Sequence, residues 1–371
     1  MRTSILLGSV VLVTLAVIPV GTANAGTAPA ATASSLPFER LVIPAPKNGR
    51  ARPLVLVVAD SDGAQTTDFI VPYGVLKDSG VADVRSVSTR AGPIRMTRGL
   101  QIVADETISE FDAREKAGAD IVIVPAQAKP NSRALTTWLR AQAAMGAIMI
   151  SVCDGARVLA EAGLLDGKRA VTHWASRESL TKSHPATTWL RDRRYVQDGA
   201  VITTAGVTAS LPASLAVVEA IGGRQIAEVT ARPFGVAAWG SEHRTDQFSI
   251  TSSDRAAAAQ AQRSRQELTE IPIENGVDEV SLALQTEVWN RSMRTKVLTT
   301  RQGRTPVRSR RGLVIVPDAE TKPGSHVVPA TSLAAMPALK ATLVGMGQRY
   351  GTALVRLAIM GMEFSSTSGS N

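Results

Sequence analysis

The sequence predicts an α/β protein: a doubly wound, flavodoxin-like, mostly parallel sheet with a nucleophile elbow, followed by a smaller C-terminal α/β segment that reads as a truncated repeat. Three observations carry that expectation. Residues 53–59 are a continuous apolar run of strand length, and 120–125 and 146–152 read as further buried strands, the pattern of strands covered on both faces rather than one. Stretches of helical length alternate with such strands along the chain, which favours a parallel sheet. The third run leads into Cys153, with Gly155 two positions on, the layout of a sharp strand-to-helix turn.

The 371 residues suit one large or two smaller domains. Apolar residues make up 44% but aromatics only 4%, so the core must rest on Val, Leu, Ile and Ala. One cysteine excludes an intrachain disulfide and a Cys-rich metal site. The four histidines, His173, His184, His243 and His326, lack the spacing of a metal-binding helix, and no metal is expected. Nor is there a Gly-rich phosphate loop of standard spacing, so no cofactor is expected.

Residues 1–25 read as a signal peptide. Arg2 is a short positive region, residues 5–20 are apolar, and Ala23-Asn24-Ala25 is an A-x-A cleavage site. The apolar run is short for a span of about 20 residues, which favours cleavage over an uncleaved anchor. The expectation is an exported protein (periplasmic, extracellular or cell-envelope) with no stable membrane span after cleavage.

Residues 26–50, rich in Ala, Thr, Ser and Pro, read as a flexible lead-in. The main domain, 51–250, opens with the strand at 53–59. A helix over 67–78, a strand over 84–89 and a hairpin through 99–103 follow. Next come the strand 120–125, the amphipathic helix 133–144 and the strand 146–152. The helix 155–162, strands 169–173 and 201–204, and the helix 212–221 complete the unit.

Residues 251–270 read as a polar linker or helix, and 271–371 as a partial α/β repeat without a nucleophile. Two matches carry the repeat. Ser88-Thr89-Arg90-Ala91-Gly92 resembles Thr299-Thr300-Arg301-Gln302-Gly303, and residues 98–105 resemble 311–318. Asp62-Gly63 and Asp68 have counterparts in Asn275-Gly276 and Glu279. The net charge of +9 concentrates in a run from Arg291 to Arg311, read chiefly as a solvated face. With export, no nucleic-acid partner is expected.

The elbow carries the candidate chemistry. A helix starting directly after Cys153 would present unpaired N–H groups to the sulfur and favour thiolate. A buried core cysteine is the competing reading. The stretch 151–174, which ends in Thr172-His173-Trp174, resembles the nucleophile region of the ThiJ/PfpI family in the class I glutamine amidotransferase-like superfamily. The isonitrile hydratase-like and AraC-regulator sensor-domain branches are the nearest in wording. Residues 63–76 resemble that family's first loop, and Thr204-Ala205-Gly206-Val207-Thr208-Ala209 its S-A-G-V-x-A segment.

By that resemblance Asp68 is the acidic partner of Cys153, although a helix N-cap would suit it as well. His173 is either a histidine near the sulfur or a structural one. The resemblance also puts a substrate or oxyanion site at Ala126, Gln127 and Asp154, where this chain departs from the family wording: V-P-G-G becomes Val124-Pro125-Ala126-Gln127, and Asp154 replaces Thr or His. Ser210-Leu211-Pro212 replaces G-I-D. Two functions follow. One is a cysteine-dependent hydratase, lyase or hydrolase acting on a small electrophile. The other is a non-catalytic ligand-binding or redox-sensing domain with a vestigial cysteine. Either has a small molecule as its partner, with homodimerisation left open. An AraC-type regulator is rejected, because strand-like segments occupy the place of its helical DNA-binding domain.

Overall fold

The computed structural model describes residues 39–322 and 326–365; the expected signal peptide and the first part of the expected lead-in lie outside them. In chain order the first half contains β1 (Leu54–Ala59), α1 (Thr66–Ser79), β2 (Asp83–Ser88), β3 (Pro93–Arg95), β4 (Gln101–Val103), β5 (Glu106–Thr107), α2 (Ile108–Arg114), β6 (Ile121–Val124), α3 (Arg133–Ala144), β7 (Ile148–Ser151), α4 (Gly155–Glu161), β8 (Arg169–Ala170), α5 (Arg177–Ser183), β9 (Thr188–Trp189), β10 (Tyr195–Asp198), β11 (Val201–Thr204), α6 (Ser210–Gly222) and α7 (Arg224–Ala231). A seven-stranded sheet runs β10-β11-β7-β6-β1-β2-β5, and every pair in it is parallel except β10 with β11.

All six residues of β1 are buried. Val55 and Val57 face one core with Phe69, Leu76 and Leu215, whereas Leu54, Leu56 and Val58 face the other with Leu135, Leu139 and Leu159. Helices on both faces therefore explain why the strand reads as an unbroken apolar run.

Two expectations need correction. The strand expected over 169–173 is only β8, which pairs with β9 in a separate two-stranded sheet. From Val171 the backbone leaves that pairing, and the Val171 N–H donates to Thr203 Oγ1 at 2.8 Å. Within the lead-in, residues 39–50 pack against the domain: Leu41 is buried, Lys47 N–H donates to Asp120 Oδ1 at 2.8 Å, and Arg50 pairs with Asp120 and Glu115 at 2.9 and 3.1 Å. Asp120, just before β6, also accepts from Leu54 N–H, and so ties this segment to the start of the sheet. Of the two readings of residues 251–270, linker or helix, the chain forms the helix α8 (Ser252–Arg263), opened by a capping box between Thr251 and Asp254.

The second half contains β12 (Glu267–Pro272), α9 (Glu279–Arg291), β13 (Thr295–Thr300), β14 (Val307–Arg308), β15 (Val314–Ile315), β16 (His326–Val327), α10 (Ala335–Tyr350) and α11 (Thr352–Met362). Its opening repeats the order of the first half. β12 and β13 pair in parallel, as β1 and β2 do, and two short strands follow. Ser86 N–H and Oγ each donate to Asp105 Oδ2 at 2.8 Å; Thr299 N–H and Oγ1 donate to Asp318 Oδ2 at 2.9 and 3.0 Å. The counterpart of Thr299 is thus Ser86, not Ser88, and since α1 and α9 begin at Thr66 and Glu279, Glu279 matches Thr66 rather than Asp68.

The two copies meet face to face. β15 pairs antiparallel with β4, setting Ile315 opposite its own counterpart Ile102. Together with β3 and β14 these strands make one four-stranded sheet across the two halves. An antiparallel pairing of equivalent residues is a local two-fold, here within a single chain. α1 packs on α9, where Val280 closes on Gly74 so tightly that a Cβ there would strike it. The repeat runs on past β15: the Thr300–Ala319 bridge matches the pairing of β2 with β5, and β16 lies parallel to β12 as β6 does to β1. The chain returns through α10 and α11 to the first half.

Candidate functional site

β7 delivers the cysteine. Val152 N–H still bonds to Val124 O at 3.0 Å, and Cys153 N–H donates to Ala205 O at 3.2 Å. Cys153 itself has φ +57°, a left-handed conformation costing a non-glycine residue about 1 kcal/mol or more. The chain reverses there and α4 begins at Gly155, where any Cβ would run into Val124 O at the end of β6. Glycine is required by that close approach, and the turn is an elbow.

The sulfur, however, is not in an activating environment. Cys153 is 6% exposed. Burial pushes its thiol well above the ordinary value, and the Asp68 and Asp154 carboxylates push the same way; the Asp154 N–H opposes them, and Glu363 adds further upward pressure. Asp68, in the first turn of α1, is fully buried. Its Oδ2 accepts from Ala126 N–H at 3.3 Å, while Oδ1 has no hydrogen-bond partner. Burial, and then Glu287, raise its pKa well above the usual carboxylate range. Both groups are thus shifted toward their protonated forms.

The other expected residues are committed elsewhere. Asp68 makes no hydrogen bond to Cys153, because α1 aims it at the loop after β6. The Ala126 N–H, expected to hold developing negative charge, is taken by that contact. Gln127 locks the same loop: its Oε1 accepts from Asp60 N–H at 2.8 Å and its Nε2 donates to Val58 O at 3.2 Å. The Asp154 side chain accepts from Thr172 Oγ1 at 3.1 Å and Ser176 Oγ at 2.7 Å. His173 lies past β8 rather than on a strand of the main sheet. Its Nδ1 accepts from Ala175 N–H at 3.2 Å and its Nε2 meets Gly361 O at 3.1 Å. Both ring nitrogens are therefore occupied, and His173 anchors the end of α11 instead of serving the sulfur.

Two acids from the second half reach the site unannounced by local sequence. Glu287 on α9 is fully buried; Gln65 Nε2 donates to both its oxygens at 2.9 Å, and Arg291 Nε to Oε1 at 2.6 Å. Glu363, just after α11, has φ +55°. Its Oε2 accepts from Gly206 N–H at 2.6 Å and its Oε1 pairs with His243 Nε2 at 2.7 Å. Trp174 Nε1 donates to Met360 O at 2.8 Å nearby. A Cβ on Gly206 would collide with Glu363 Oε2 and lie 2.6 Å from His173 Cδ2, so this glycine makes room for the carboxylate. One signal was available: Glu363 is the sole acid after Glu320. Among the described residues no cluster of His, Cys, Asp and Glu could hold a metal ion.

The DJ-1/PfpI family model matches residues 53–220. Isonitrile hydratase from Pseudomonas putida is 31% identical over 169 residues, covering 44% of this chain and 71% of the relative. The chain belongs to the DJ-1/PfpI family. Its DJ-1/PfpI region contains Asp68, Cys153, His173 and Gly206, whereas Glu287 and Glu363 lie beyond the matched residues. The HTH-type transcriptional regulator CdhR from Pseudomonas aeruginosa is 32% identical over 151 residues, 40% of this chain and 43% of the regulator. Among solved structures, DJ-1beta from Drosophila melanogaster aligns with a TM-score of 0.45 at 23% identity, covering 50% of this chain and 99% of that one. At family level the protein is a DJ-1/PfpI cysteine-type enzyme or sensor.

Proposed function

We propose that this chain is an exported, small-molecule-binding DJ-1/PfpI protein in which Cys153 is kept as a shielded, neutral thiol and does not carry turnover. The observation that supports this most is the burial of Cys153, which is 6% exposed. Asp68, Asp154 and Glu363 add to burial in disfavouring the thiolate, and both ring nitrogens of His173 are engaged elsewhere. A thiol is a poor nucleophile and a poor target for oxidants, which weighs against redox sensing as well as catalysis. Export rests on the N-terminal sequence alone.

A nucleic-acid partner is disfavoured by the fate of the basic run. Arg291, Arg294, Arg301, Arg310 and Arg311 pair with Glu287, Glu267, Glu274 and Asp278. The segment after residue 266 opens with β12, α9 and β13 instead of an all-helical reader. Among the described residues no helix is long and apolar enough to cross a membrane.

A second reading, a cysteine-dependent hydratase, lyase or hydrolase, is favoured by the strained φ of Cys153, a cost that active sites retain for positioning. In it Cys153 would attack a small electrophile and protonated Asp68 would supply the proton. Turnover of an isonitrile and of a dicarbonyl by wild type and Cys153→Ala separates the two. The binding reading expects no Cys153-dependent turnover of either. Turnover by the wild type that is abolished in Cys153→Ala establishes the enzyme.

A further inference from the structure

On the far side of Glu363 from the elbow lies a cavity of about 170 Å³. It is lined from both halves: Arg194 and Leu211 come from the first, and Met336, Lys340 and Glu363 from the second. Its charge is unbalanced. The Glu363 carboxylate is already paired with His243 at 2.7 Å. Neither Arg194 nor Lys340 makes an ion pair with a described residue. The Arg194 guanidinium is half-buried and donates through Nη1 to Gly240 O at 2.6 Å; Glu242 acts on it only through space. A guanidinium withdrawn from water without a carboxylate is costly, and its planar fork suits one carboxylate in particular. Lys340, exposed on α10, offers a second cation at the rim.

Leu211, Pro212, Val236 and Met336 give the remaining wall an apolar character. The volume lies below the roughly 300 Å³ at which pockets begin to take drug-sized ligands. We propose that this cavity binds a small organic monocarboxylate, its carboxylate on Arg194 and Lys340 and its apolar body against Leu211 and Met336. The inference deepens the binding reading above by naming a ligand class, and rests on that reading. A phosphate would lack the apolar contacts with Leu211 and Met336.

The test is calorimetric titration of the full chain with hexanoate, with hexanamide and inorganic phosphate as comparisons. Hexanoate is expected to bind, and hexanamide at least about tenfold more weakly, because the charge-assisted contacts are lost. Arg194→Gln should abolish detectable hexanoate binding, and Lys340→Ala should weaken it severalfold. Lys340 is exposed and makes no ion pair with a described residue, so its variant keeps the test valid even if Arg194→Gln misfolds. No heat with hexanoate, equal binding of hexanamide or phosphate, or hexanoate binding unchanged in Lys340→Ala would each overturn the proposal. None of these outcomes bears on the Cys153-dependent turnover that tests the broader reading.

Discussion

At the scale of single residues, the site is defined by where protons rest. Asp68 is buried with one oxygen unpartnered, and its pKa is raised by burial and then by Glu287. A carboxyl raised on folding stabilises fully only below its unfolded value of about 3.9, and that contribution is lost as pH rises toward the folded value. Asp68→Asn has the shape of the neutral acid and no such loss. It should melt higher than wild type at pH 7, with the gap closing as pH falls to 4; thermal melts at both pH values check this, and an equal gap at both would contradict it. Cys153 and its turn were legible in sequence because strand, cysteine and Gly155 are neighbours in the chain. Glu287 and Glu363 were not, since nothing local ties them to residue 153. His173 was misjudged for a related reason: its partner is Gly361 O, a backbone group with no sequence signature.

At the scale of elements, apolar runs and helical stretches were read to within a few residues wherever both faces of the sheet are covered. They failed at 169–173, where Arg169-Ala170 pairs only briefly with β9 and the chain then leaves the strand. The lead-in was misread because its composition is that of a linker, while its anchoring depends on partners distant in sequence, among them Asp120 and Glu115. The contact between α1 and α9 is the tightest helix pairing across the repeat. Gly74→Ala would drive a methyl into Val280 Cγ2 and toward Glu279 Oε1 at 3.2 Å. Overpacking of this kind costs about 1–3 kcal/mol. Urea denaturation should show that loss, whereas a neutral or stabilising change would mean that the helices separate freely. Gly80, whose φ is +66° with open space around it, marks the contrast: there backbone conformation, not packing, calls for glycine.

At the scale of the whole molecule, the repeat turns what would be an interface between copies into internal structure. The β4 edge is already paired with β15, and α1 is already covered by α9, so these surfaces cannot serve a second chain. The protein should therefore elute as a monomer by light scattering at micromolar concentration; a stable dimer would show that another face associates. The same folding-back seats Glu363 on Gly206 near the elbow, where it adds to burial, Asp68 and Asp154 in disfavouring the Cys153 thiolate. The most direct measurement is the rate of iodoacetamide labelling of Cys153 against pH, for wild type and Glu363→Gln. The labelling midpoint of wild type should lie above the free-cysteine value of about 8.5, and Glu363→Gln should move it downward by removing one carboxylate. A wild-type midpoint at or below that value, with Glu363→Gln leaving it unmoved, would contradict the claim and return Cys153 to the role of an activated nucleophile.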